Sequence, residues 1–158
     1  MVFLLCLAGF QWEWPQDFPS NKFPVAAVAK CADVIAPAGV SARRVLTTDQ
    51  WGDYLIYRLY PRCRVFVDGR SDFYGPGVGR QYLDLLNAAP NWEKTLKANG
   101  FNVALLPIEW PLAQLMEGHP DWQLRYRDGQ AILLERKDTA VLNQKPDSAE
   151  RIRGRQSE

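Results

Sequence analysis

Residues able to do chemistry gather in two short stretches of this chain. The first reads Thr47-Thr48-Asp49-Gln50-Trp51-Gly52-Asp53-Tyr54, and the second reads Asp68-Gly69-Arg70-Ser71-Asp72-Phe73-Tyr74. In the second, the apolar run Val65-Phe66-Val67 delivers charge and aromatic rings into a loop, where open α/β sheets usually hold their ligands. Asp68 and Asp72 offer oxygen to a divalent cation. Arg70 offers a bidentate grip on phosphate or carboxylate, and Tyr74 a ring for a sugar to stack on. A bland reading stands beside this one: Asp68 ties down its own turn, Arg70 pairs with an acid, and Tyr74 packs on the surface. The two acids stand four residues apart, so no D-x-D metal motif is present, and no metal or other cofactor is expected.

The first stretch follows an earlier short strand. If the two strands are parallel neighbours, both loops share one sheet edge. Asp49, Trp51 and Asp53 would then face Asp68, Arg70 and Tyr74 across one acid-rich, aromatic-lined cleft suited to carbohydrate. The alternative makes Asp49 a helix cap, Trp51 a core anchor and Asp53 a solvated helix residue. Trp51, Leu55 and Leu59 recur at helical spacing, which favours packing for Trp51.

Other chemistries find little support. The single histidine, His119, stands between Gly118 and Pro120, which reads as a surface turn. No G-x-S-x-G elbow is present. Gly75-Pro76-Gly77-Val78-Gly79 lacks the G-K-[ST] ending of a phosphate loop and reads as a glycine turn. Nineteen basic residues against 18 acidic ones give no cationic footprint for nucleic acid. Of three cysteines, Cys31 and Cys63 are read as two buried free thiols, with pairing as the alternative.

The elements that must position these stretches are legible from periodicity. Residues 23–35 read as a helix, with apolar side chains at 25, 28, 31, 32 and 35. Strands are expected at 44–47, 63–67, 102–106, 122–126 and 131–135. Helices are expected at 50–59, 80–87, 92–98 and 112–116. Thr48 or Asp49 caps the second helix, Asn91 caps a later one and Gly100 closes it. The Asp128-Gly129 turn between two apolar runs signals a hairpin. Helices between strands imply parallel crossovers. The fold class is therefore α/β: a three-layer sandwich with a mainly parallel sheet of about five strands and a C-terminal antiparallel hairpin.

The ends read differently. Residues 1–10 carry no charge, and Trp12 and Trp14 follow. A membrane span needs about 20 apolar residues, so 1–14 is expected to be the end of a transmembrane helix, the alternative being a buried N-terminal strand or helix of the domain. Residues 15–22 form a linker, 23–137 a soluble α/β domain, and the charged stretch 138–158 a disordered tail.

The succession DQWGDYLIYRLYP, RVFVDGRSDFYG, NVALLP and DWQLRYRDGQAILLERK resembles the C-terminal extracytoplasmic domain of bacterial multi-span GT-C-type glycosyltransferase-like membrane proteins, of the protein mannosyltransferase superfamily. The resemblance spans residues 23–137. It implies a cell-membrane protein with this domain on the extracytoplasmic side, and sugar transfer from a polyprenyl-phosphate donor. The family's catalytic acid lies in an early loop that has no counterpart in this chain, so no catalytic residue carries over. The implied role is an accessory domain, inactive alone, with a saccharide or polyprenyl-phosphate as its ligand; the candidate contacts, Asp49, Trp51, Asp53, Asp68, Arg70, Asp72 and Tyr74, come from the two stretches themselves, and of these Asp68, Arg70, Asp72 and Tyr74 match the family domain's own motif. The alternative is a structural or protein-interaction domain without a ligand.

Overall fold

Alternation of side chains across one sheet organises the molecule. A computed structural model describes residues 18–137. The expected membrane helix at 1–14 and the expected tail at 138–158 lie outside the described residues. Along the chain run α1 (Val25–Ile35), β1 (Arg43–Leu46), α2 (Asp49–Leu59), β2 (Cys63–Val65), a 3-10 turn (Ser71–Phe73), α3 (Gly75–Leu86), α4 (Trp92–Asn99), β3 (Val103–Pro107), α5 (Pro111–Glu117), β4 (Trp122–Arg127) and β5 (Ala131–Arg136). The strands form one sheet in the order β2-β1-β3-β5-β4. β1 pairs in parallel with β2 and β3, while β5 is antiparallel to both β3 and β4.

Successive strand residues point to opposite faces, so a strand apolar at every position must be covered twice. β3 is buried throughout. Its Val103 and Leu105 pack with Val45 and Leu133 under α1 and α2. Its Ala104 and Leu106 pack with Leu46, Ile132 and Leu134 under α3, α4 and α5. The result is the expected three-layer α/β arrangement, with a parallel β2-β1-β3 half and an antiparallel hairpin.

Local chemistry sets the element ends. α2 starts where the Trp51 amide donates to Thr48 Oγ1 at 3.0 Å, so Thr48 rather than Asp49 is the cap. α4 closes at Gly100 with φ 62°, the left-handed conformation glycine adopts without strain. Asn91 precedes α4 but its side chain makes no capping bond. The hairpin turn is held by Asp128 Oδ1, which accepts from the Gln130 and Ala131 amides at 2.8 and 2.7 Å.

Two expectations need correction. The glycine stretch 75–79 is the first turn of α3 rather than a loop, because Pro76 already has the helical φ and lacks the amide that a first turn leaves unpaired. β2 is shorter than expected and ends at Val65, although the Phe66 amide still reaches Val45 O at 3.0 Å.

Leu105 lies fully buried on the central strand. Leu105→Ala should lower stability by about 2–5 kcal/mol. The check is a reduced urea midpoint at unchanged slope; an unmoved midpoint would place Leu105 outside the core.

Candidate functional site

Helix α2 positions both predicted stretches, because it begins at the end of β1 and lies across the segment that leaves β2. Its second residue pair makes the contact. A Cβ on Gly52 would stand 2.2 Å from Val67 O, so helix and segment touch backbone to backbone. The next residue, Asp53, accepts from the Gly69 amide through both carboxylate oxygens at 3.2 Å. The Trp-Gly-Asp and Asp-Gly-Arg motifs are therefore two halves of one contact.

Asp68 completes the lock from the other side. It is 2% exposed and accepts from Arg70 three ways: from the amide at 2.9 Å, from Nε at 3.0 Å and from the terminal guanidinium nitrogen at 2.6 Å. The Arg70 side-chain bonds, joined by the Arg70 amide and the Tyr74 hydroxyl, hold the Asp68 carboxyl down at about 2. The same pairing raises the Arg70 guanidinium further above its usual range. Burial, and then the bond to Asp68, push the Tyr74 hydroxyl up. Asp72 is exposed in the 3-10 turn and makes no side-chain hydrogen bond among the described residues.

The space expected between these two loops is thus filled by α2. Two depressions flank it. One, of about 390 Å³, runs along the outer edge of β2 and is lined by Ile56, Tyr60, Arg64, Asp68, Arg70 and Tyr74. Cys63 lies beneath it as a free thiol that burial pushes up to about 11. Cys31, on α1, is likewise a free thiol.

The other depression, of about 380 Å³, opens between the carboxyl ends of β1 and β3. The chain leaves β1 toward the α1/α2 layer and leaves β3 toward the α3/α4/α5 layer. Diverging connections leave a crevice there, the usual ligand position of open α/β sheets. Asp49, Gln50 and Trp51 line one side, Glu109 and Trp110 the other, and Gln130 and Lys22 complete it. Trp51 is buried, with Nε1 donating to Lys22 O at 2.9 Å. This fixes residues 21–22 at the rim. The Asp49 amide donates to the Tyr82 hydroxyl of α3 at 3.1 Å, which ties the rim to the opposite layer. Trp110 is half-buried and Glu109 exposed.

Of the seven predicted residues, Asp49 and Trp51 line the β1/β3 cleft. Asp68, Arg70 and Tyr74 line the β2 groove, Asp53 braces the loop, and Asp72 joins neither. Glu109, Trp110 and Gln130 were not anticipated. Their sequence signal is position: Glu109 and Trp110 stand two and three residues beyond the end of the third strand, and only its pairing with β1 makes that loop a wall of the cleft. The cleft offers carboxylates, amides and indole rings, an equipment for holding a small polyhydroxylated ligand. Among the described residues no group of three or more His, Cys, Asp or Glu side chains is placed to hold a metal ion, and no helix is long and apolar enough to cross a membrane.

No protein-family model matches the chain, and no curated protein or solved structure matches it either.

Gly52→Ala should cost roughly 1–3 kcal/mol, because the new Cβ would collide with main-chain atoms of Val67 and Asp68, which cannot swing aside as a side chain can; a parent-like melting temperature would refute the contact. The depressed Asp68 carboxyl makes a second prediction. Its folded value of about 2 lies below its ordinary 3.8, so its stabilisation is present above pH 3.8 and is lost as pH falls through about 2. Asp68→Asn should flatten that acid limb of stability in urea titrations between those two values. An unchanged acid limb would sink the assignment.

Proposed function

We propose that this chain is a non-catalytic, carbohydrate-binding accessory domain of a membrane glycosyltransferase that uses a polyprenyl-phosphate sugar donor. The observation that carries the reading is the β1/β3 cleft, where Trp51 and Trp110 stand with Asp49, Glu109, Gln50 and Gln130. Sugars present an apolar C–H face and a rim of hydroxyls. Indole covers the first, while carboxylates and amides accept from and donate to the second. In support of the membrane setting stand the uncharged residues 1–10 followed by Trp12 and Trp14, and the resemblance of residues 23–137 to the extracytoplasmic domain of GT-C-type proteins. The cleft's role is then to hold part of an acceptor or donor glycan near a catalytic centre carried elsewhere.

A second reading, a structural or interaction domain, draws on the Gly52–Val67 and Asp53–Gly69 contacts. These account for both conspicuous motifs without a ligand.

Titration of the whole chain in detergent with mannose, glucose and short oligosaccharides, followed through indole N–H resonances, separates the two. Binding in the cleft should shift the Trp51 and Trp110 signals, and Glu109→Ala, at an exposed position of the same wall, should weaken affinity at least about tenfold, or about 1.4 kcal/mol, without lowering the melting temperature. Flat titrations with every sugar would leave the structural reading.

A further inference from the structure

We propose that the outer edge of β2, with the end of α2 and the 3-10 turn, is a membrane-seating surface that lies on anionic phospholipid headgroups. Among the described residues seven large hydrophobic side chains are exposed, and the three most exposed of these are all aromatic: Phe73 at 85%, Tyr60 at 74% and Tyr57 at 72%. The other four, Val40, Leu83, Leu115 and Leu124, stand singly on separate elements and are less exposed. Single exposed aliphatics are ordinary, whereas grouped exposed rings mark an interaction site.

The three rings are carried by the end of α2 and by the loop whose Arg70 and Tyr74 line the β2 groove. Tyr57 and Tyr60 are three residues apart at the end of α2, on neighbouring turns. Tyr60 lines the β2 groove with Arg70 and Tyr74. Phe73 sits between those two in sequence, and its amide donates to Arg70 O at 3.0 Å.

Charge points to the same partner. Arg58, Arg62, Arg64 and Arg70 are exposed around the rings. Two exposed acids share the region, Asp53 and Asp72, but Asp53 already serves the Gly69 amide. Asp68 is buried under Arg70. Counted in full, with Asp68 and its partner Arg70 included, four arginines stand against three carboxylates. Aromatic rings mixed with arginines suit the headgroup layer, where rings sit in the interface and guanidinium groups meet phosphate.

The path of the chain supplies a third observation. Phe18, the first described residue, packs 5.4 Å from the Tyr57 ring and 4.9 Å from the Tyr54 ring. The uncharged run 1–10 and the two tryptophans lie only a few residues upstream. A membrane anchor there would bring the α2 face, and not the β4/β5 hairpin, to the bilayer. In this the inference rests on the membrane reading above, but not on the sugar.

The test reconstitutes the whole chain in nanodiscs of phosphatidylcholine with phosphatidylglycerol, doped with a gadolinium-chelating lipid, and reads paramagnetic broadening of backbone amides. Broadening should be strongest at Tyr57, Tyr60, Arg64 and Phe73 and weak at Asp128–Gln130. It should fall several-fold without phosphatidylglycerol, and likewise in the double variant Arg64→Glu/Phe73→Ser, both sites being exposed and outside the core. Strongest broadening on the hairpin or on α3 to α5 would overturn the proposal. So would sharp signals at Tyr60 and Phe73, or shifts there that depend on protein concentration and not on lipid, which would assign the face to a second copy of the chain. Sugar-dependent shifts at Trp110 are read separately, so failure of the seating surface and failure of the cleft remain distinguishable.

Discussion

Gly52 approaches Val67 so closely that a single methyl group at position 52 would lie 2.2 Å from a carbonyl oxygen. This approach governs how the carboxyl edge of the sheet is laid out. It seats α2 directly on the chain leaving β2, and Asp53 can then reach the Gly69 amide. With the turn fixed from the α2 side, Asp68 can turn inward and gather Arg70 and Tyr74. The loop that looks most chemical is consequently held by its own polar groups, with Asp68, Arg70 and Tyr74 already partnered. A carboxylate bound by a guanidinium and an amide is a poor general base, since its proton affinity has been lowered.

The same seating leaves room elsewhere. With the gap between the β1 and β2 loops filled, the open space at this edge is the crevice between β1 and β3, where the chain departs to opposite layers. The crevice walls are firm on the β1 side, because the Trp51 indole and the Asp49 amide are both engaged. Glu109 and Trp110 on the β3 side follow Pro107 and precede α5, and the Trp110 amide closes on Pro107 O at 3.1 Å. A cleft built this way has its β1 wall already set, an arrangement that limits the ordering cost wherever a ligand is bound.

At the opposite end of the sheet the problem is burial of charge. Arg43 and Glu135 are both buried and paired, with Arg125 Nε 3.3 Å from the second Glu135 oxygen. Arg43 Nε keeps no partner. Such an arrangement gives modest net stability, yet removing one member would strand the other in an apolar layer. It sits where β1 begins and β5 ends, so it pins the hairpin half of the sheet to the parallel half.

Much of this was legible in residue order. Period-two and helical patterns determined nearly every element, the Asp128-Gly129 turn announced the hairpin, and alternating helices and strands implied the three layers, because these follow from interactions between near neighbours. The roles of Asp68 and Arg70 were also legible as one of two readings, since a carboxylate and a guanidinium two residues apart can satisfy each other locally. What only tertiary structure decided was which loops share a wall. Strand order depends on how separate segments dock, and nothing local in Glu109, Trp110 or Gln130 says that β3 lies beside β1. Nor does Gly52 announce that its missing side chain is a contact: that depends on a carbonyl fifteen residues away, and on a helix whose packing face, set by Trp51, Leu55 and Leu59, brings the two backbones together.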